Sequence, residues 1–172
     1  GSLVDAGGML QKNALPPVLF VARSVLAGWV VFVPLMAALT LAYLPVSGFS
    51  WALLAVPLLL LLQGALAFLL AHLLAILAAA VRDTLQVLGF ALSVGIFLSP
   101  VLFPLSLFPQ AWRWVLYVNP MTALVLGYQS VLLQGVWPGL TLWAVALAWL
   151  LVLALLLNIL IQRSRDELVD WL

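Results

Sequence analysis

Charge is the scarcest commodity in this sequence. Only 6% of its 172 residues are Asp, Glu, Lys or Arg, with one histidine and no cysteine. A soluble domain carries about 25% charged residues, so this chain cannot cover a water-facing surface. The lack of cysteine excludes disulfides, thiolate catalysis and cysteine-ligated metals. A net charge of +1 provides no basic field for nucleic acid. Ten-residue segments of alternating polarity are missing too, which excludes a membrane β-barrel. A soluble enzyme, a disordered tail and a nucleic-acid-binding domain all drop out.

Apolar residues are abundant instead. They form 67% of the chain, and mean hydropathy is +1.32. The expected fold is all-α and polytopic, a single transmembrane domain over 1–172. A span needs roughly 20 mostly apolar residues, and four stretches qualify: 25–43, 52–81, 85–103 and 140–161. The second is about 45 Å long as a helix, more than a bilayer core of about 30 Å. It is either strongly tilted or has its first turns, around Pro57, outside the core. The chain begins at Gly1 rather than Met, which fits a tag scar, a processing site or a start inside a longer protein.

The few charges orient the spans. Lys12 and Arg23 precede the first, Arg82 lies between the second and third, and Arg163 and Arg165 follow the fourth. With an even number of spans these five share one side, and Arg113 falls on the other. The excess of Lys and Arg in cytoplasmic loops places the five in the cytoplasm. Both termini are then cytoplasmic. Arg82-Asp83 would each cost about 2.5–3.5 kcal/mol at mid-span and so mark a turn between two helices.

The outer segment 104–139 is too polar and proline-rich for a clean span. Pro100, Pro104 and Pro109 stop or kink a helix there. Asn119-Pro120 is a helix start, with Asn as N-cap and Pro at the first helical position. The helix that follows, closed by Gly135 and Pro138, is too short to cross and reads as re-entrant or interfacial. Trp112, Trp114, Tyr117, Tyr128 and Trp137 gather here, as aromatics do at a membrane boundary. At the other end, 3–15 is a short amphipathic piece. It is either an interfacial helix or a docking helix for a cytoplasmic partner. The tail 162–172 is cytoplasmic.

Chemistry of the chain's own is sparse. His72 has no second His or Cys near it in sequence, against a metal site. It is either a neutral, hydrogen-bonded imidazole or a proton relay. No Gly-x-Ser-x-Gly motif, paired intramembrane carboxylates or phosphate-binding loop occurs, so no hydrolase, ion-driven carrier or ATPase is indicated. Gln63, Gln86, Gln129, Gln134 and Asn158 either join helices by hydrogen bonds or line a polar path.

Five pieces, in order, resemble the membrane subunit of ABC-2-type exporters. They are Leu10-Gln11-Lys12-Asn13-Ala14-Leu15-Pro16, Val81-Arg82-Asp83, Ser99-Pro100, Asn119-Pro120-Met121, and Tyr128 with Leu132-Leu133-Gln134-Gly135. Within that family the pattern looks most like the permeases for lipid-linked polysaccharides such as O-antigen, capsule or teichoic acid. Family members normally have six spans, so this chain would supply the last four. They usually carry Arg after the Tyr, where Gln129 stands here.

The resemblance implies a bacterial inner-membrane permease that is not itself an enzyme. Two copies would enclose a conduit, with membrane lipid around them. A separate cytoplasmic ATP-binding subunit would hold ATP and Mg, with no cofactor on this chain. Segment 3–15 would be the coupling helix, with Asp5, Met9, Leu10 and Lys12 as contacts and Arg82 and Asp83 on the same face. The lipid-linked glycan would pass Phe97, Phe103, Trp112, Trp114, Tyr117 and Tyr128. Ser99, Pro100, Asn119 and Pro120 would belong to the outer gate. Alternatives are an ABC-2 exporter of another lipid or a drug, a non-transport scaffold, or an intramembrane enzyme centred on His72.

Overall fold

A computed structural model describes residues 17–80, 84–97, 99–101 and 105–169. Regular structure among them is helical throughout, as expected for a polytopic membrane protein. Helix α1 runs Pro17–Ser47 and a 3₁₀ turn covers Trp51–Leu54. Helix α2 follows over Ala55–Ala80, and α3 over Thr84–Phe97. After 3₁₀ turns at Leu105–Leu107 and Gln110–Trp112 come α4 (Arg113–Leu116), α5 (Pro120–Leu132) and α6 (Leu140–Val169).

Among the described residues, three helices are long and apolar enough to cross a membrane: Val18–Leu44, Trp51–Ala78 and Leu140–Arg163. There are up to four if the bent pair Gln110–Leu116 and Pro120–Leu132, which meet at 110°, is one span. The long helices have 24 to 28 residues, about 36–42 Å at helical rise, longer than a bilayer core of about 30 Å. Arg23 lies inside α1, within its early turns. Helix α3 is different. The stretch expected as a span over 85–103 is helical only to Phe97, and Ser99–Val101 forms a turn. Its 14 residues reach only about 21 Å.

Helix α2 is the hub, packing against α1, α3, α5 and α6. Its buried face reads Ala55, Leu59, Leu62 and Leu66, continued from Ala52 in the preceding 3₁₀ turn. Those steps of three and four residues trace one stripe. Ala123, Leu124, Val131 and Leu132 of α5 and Ala146 and Leu153 of α6 complete the core. Two glycines let the helices approach closely. A Cβ at Gly127 would stand 2.9 Å from a methyl of Leu59, and one at Gly64 would overlap the Trp29 indole. By contrast, α3 rests mainly on α2, which leaves open space beside it.

Candidate functional site

The short helix α5 is where the polar groups of the fold converge. Asn119 has the extended backbone of an N-cap, and its side-chain oxygen accepts from the Met121 N–H at 2.9 Å. Pro120 occupies the helix start. This is the local geometry that Asn-Pro favours. The Asn119 amide also reaches across and donates to the Gly95 carbonyl oxygen at 2.8 Å. One side chain therefore starts α5 and ties it to the last turn of α3.

A second tie lies near the other end of α5. The Gln129 amide donates to the Pro100 carbonyl oxygen at 2.8 Å. Its neighbour Tyr128 donates to the Gln63 side-chain oxygen on α2 at 2.9 Å. Beneath them, the buried Thr122 hydroxyl donates to the Leu116 carbonyl at 2.6 Å, fixing the bend between α4 and α5. The Trp149 indole N–H of α6 donates to the Tyr117 carbonyl at 2.9 Å. Buried polar groups in an apolar setting need partners, and these partners all come from different elements. The result ties α5 to α2, α3 and α4, and ties α6 to the end of α4.

The connections follow the same logic. Gly48 and Gly135 have φ of +72° and +64°, a conformation that glycine adopts without steric penalty. The Ser50 hydroxyl donates to the Gly135 carbonyl at 2.6 Å and accepts from the Ala52 N–H at 3.2 Å. The entry to α2 and the link from α5 to α6 are thus held together. Arg113 donates through Nε to the Phe108 carbonyl at 3.2 Å.

Two cavities flank α5 and share Met121 and Val125. The larger, about 770 Å³, lies between α3, the end of α2 and the start of α5, and includes Ser99, Asn119 and Pro120 in its wall. The smaller, about 420 Å³, lies between α1, α2 and α5, with Phe32, Tyr43, Gln63, Tyr128 and Gln129 around it. Both volumes lie in the range of small-molecule sites, about 300–1,000 Å³.

The structure gathers some of the sequence-nominated residues and separates others. Ser99, Asn119 and Pro120 share the larger cavity, and Tyr128 lines the smaller one. Pro100 is buried and contributes its carbonyl to Gln129. Phe97, Trp112 and Trp114 are exposed and, with Tyr117, line neither cavity. Asp5, Met9, Leu10, Lys12, Arg82, Asp83 and Phe103 lie outside the described residues, as does segment 3–15. His72 packs edge-on to Phe68 at 5.9 Å, and its Nδ1 has no hydrogen-bond partner. Among the described residues no three His, Cys, Asp or Glu side chains cluster as a metal site would require.

Gln63, Ser50, Gly95 and Trp149 were not singled out as site residues from sequence. Gln63 and Trp149 did carry a signal. A carboxamide or an indole N–H in the middle of an apolar run must find a partner on another element. Ser50 and Gly95 carried none, because a carbonyl or a capping hydroxyl in a loop has no sequence mark of its long-range partner.

The comparisons with known proteins bear on the same region. The model of the family described as ABC-2 type transporter matches residues 9–133, from the segment before α1 to the end of α5. No curated protein and no solved structure matches the chain. The match covers well over half of the sequence and includes every polar tie between α2, α3 and α5. The chain therefore belongs to the ABC-2 type transporter family, as a membrane component that works with an ATP-binding partner.

Proposed function

We propose that the chain is the permease subunit of an exporter for a lipid-linked polysaccharide, working as a pair of copies in a bacterial inner membrane. The observation that carries this reading is the set of ties on α5. Asn119 to Gly95 and Gln129 to Pro100 join a helix too short to cross the membrane to the broken end of α3. An element held at both ends but bent 110° from its neighbour suits a gate that moves as one piece with α3. A plain membrane anchor has no use for such an element.

Charge distribution supports cytoplasmic termini. Lys12, Arg23, Arg82, Arg163 and Arg165 fall on one side of an even-span topology, opposite Arg113. Segment 3–15 is then the coupling element on the ATPase, with Asp5, Met9, Leu10 and Lys12 as contacts and Arg82 and Asp83 at the adjoining turn. Pyranose rings stack on aromatic faces, and the exposed Phe97, Trp112 and Trp114, with Phe103, Tyr117 and Tyr128, offer such faces along the outer end.

The test is co-expression with an ATP-binding protein of the ABC class from the same organism. The wild-type chain should co-purify with that protein, and Leu10→Asp should abolish the association while leaving membrane insertion intact. Cells carrying Leu10→Asp should accumulate the undecorated lipid-linked glycan on the cytoplasmic face. Retained association in Leu10→Asp would remove the coupling assignment. Normal surface glycan in a deletion strain would remove polysaccharide as the cargo.

A further inference from the structure

Arg113 stands in the middle of a long stretch without acidic residues. The chain's acids are Asp5, Asp83, Asp166, Glu167 and Asp170, so none lies between Thr84 and Arg165. Arg113 is the first residue of α4, just before the 110° bend into α5. Its end of the fold is the one that α3 reaches with Gly95 and α6 with Trp149. Asp166 and Glu167 stand about 25 Å further along α6 from Trp149 at helical rise. Among the described residues the guanidinium makes one hydrogen bond, donated by Nε to the Phe108 carbonyl at 3.2 Å.

That bond brings the guanidinium back across the 3₁₀ turn Gln110–Trp112 and leaves the residue partly exposed. With Nε engaged, the two terminal nitrogens remain. A guanidinium fork matches two oxygens of one phosphate. The chain neighbours of Arg113 are apolar and exposed: Leu107 by 73%, Trp112 by 61% and Trp114 by 64%. A cation among exposed apolar side chains is complementary to an anion that carries an apolar body. A lipid phosphate is such an anion, and indole rings favour the boundary where it sits. A free phosphate ion would gain nothing from Leu107 and the two indoles.

We propose that Arg113 binds the phosphate of a membrane lipid, with Leu107, Trp112 and Trp114 against the lipid's apolar part. The phosphate supplies the negative charge that the stretch from Thr84 to Arg165 lacks. Leu116, at the other end of α4, accepts the Thr122 hydroxyl that fixes the bend, so a lipid held at Arg113 anchors that bend at the membrane boundary. The site needs only a membrane-embedded chain and does not depend on what the exporter carries.

The full chain in detergent can be titrated with phosphatidylglycerol and the retained lipid counted by native mass spectrometry. Arg113→Gln should hold its most tightly bound phosphatidylglycerol about tenfold more weakly than the wild type. Arg113→Lys, which also loses the Nε bond to Phe108, should recover most of that loss because it keeps the charge. Diacylglycerol, with the same chains and no phosphate, should bind all three proteins alike. Equal retention of phosphatidylglycerol by the wild type and Arg113→Gln overturns the proposal. So does an Arg113→Lys protein as weak as Arg113→Gln, because the loss would then be structural. If Arg113→Gln does not fold, the wild-type chain decides: diacylglycerol bound as tightly as phosphatidylglycerol overturns the proposal. Displacement by inorganic phosphate at equal concentration overturns the lipid as the ligand. With the site upheld, displacement by equimolar polyprenyl phosphate assigns the phosphate to a carrier lipid, and resistance to it assigns the phosphate to the bilayer.

Discussion

The Tyr128 hydroxyl donates to the Gln63 side-chain oxygen at 2.9 Å, so a side-chain hydrogen bond joins the short helix α5 to the hub helix α2. Side-chain hydrogen bonds between membrane helices average about 0.6 kcal/mol and reach about 1.7 kcal/mol. Tyr128→Phe and Gln63→Leu should each lower stability on that scale. Their double-mutant cycle should show a coupling of at least about 0.5 kcal/mol, as contacting residues do. Additive effects in detergent unfolding experiments would mean that the two side chains do not act as a pair.

Gly64 lies under the Trp29 indole, where a Cβ would overlap the ring. Gly64→Ala should therefore destabilise by about 1–3 kcal/mol through overpacking, against the usual gain from placing Ala in a helix. Trp29→Leu should relieve the penalty in the double variant. Thermal unfolding of the four proteins reads this out. A Gly64→Ala protein as stable as wild type would contradict the close approach of α1 and α2.

Asn119 has two separable tasks. Asn119→Ser keeps an oxygen for the Met121 N–H but loses the donor to Gly95, whereas Asn119→Ala loses both. The cap alone is worth about 0.5–2 kcal/mol, so Ala should be the less stable variant. Both should impair transport if the tie to α3 matters for gating. Transport in Asn119→Ser equal to wild type would confine the residue to capping.

Gly135 holds φ at +64°, and its carbonyl accepts from Ser50. Gly135→Ala has room for its Cβ, whose nearest neighbour atom would be 3.7 Å away on Ser50. Its penalty is therefore conformational, about 1–2 kcal/mol for a non-glycine residue in that region. Ser50→Ala should add a loss of about 0.5–1.5 kcal/mol from the hydrogen bond. Sensitivity to proteolysis at 48–50 and 135–139 is the direct measurement, and both variants should raise it.

Much of this fold was legible because membrane helices write themselves in composition. Long uncharged runs set α1, α2 and α6, and Asn119-Pro120 announced the start of α5. Helix α3 was harder to read. Its apolar run continues through Leu98 to Phe103, and hydropathy alone does not reveal that the helix ends at Phe97, just before Ser99-Pro100. The partners at α5 were only half visible. Tyr128 and Asn119 stood out as polar residues near an interface, and Gln63 stood out within an apolar run. Their pairing did not, since 65 residues separate Gln63 from Tyr128. Backbone acceptors such as Gly95 and Pro100 carry no sequence mark at all. The aromatics were legible as boundary residues, yet only Tyr128 of those nominated in the described chain lines one of the two cavities.

Helix α2 touches α1, α3, α5 and α6, and it precedes three of them in the chain. The α1–α2 pair is complete before α5 and α6 have left the ribosome, and chains fold from the N-terminal side as they emerge. The stripe from Ala52 to Leu66 therefore acts as a template on which the later helices are seated in turn. Errors in that stripe are inherited by every element that follows, whereas errors in α6 leave the earlier pair intact.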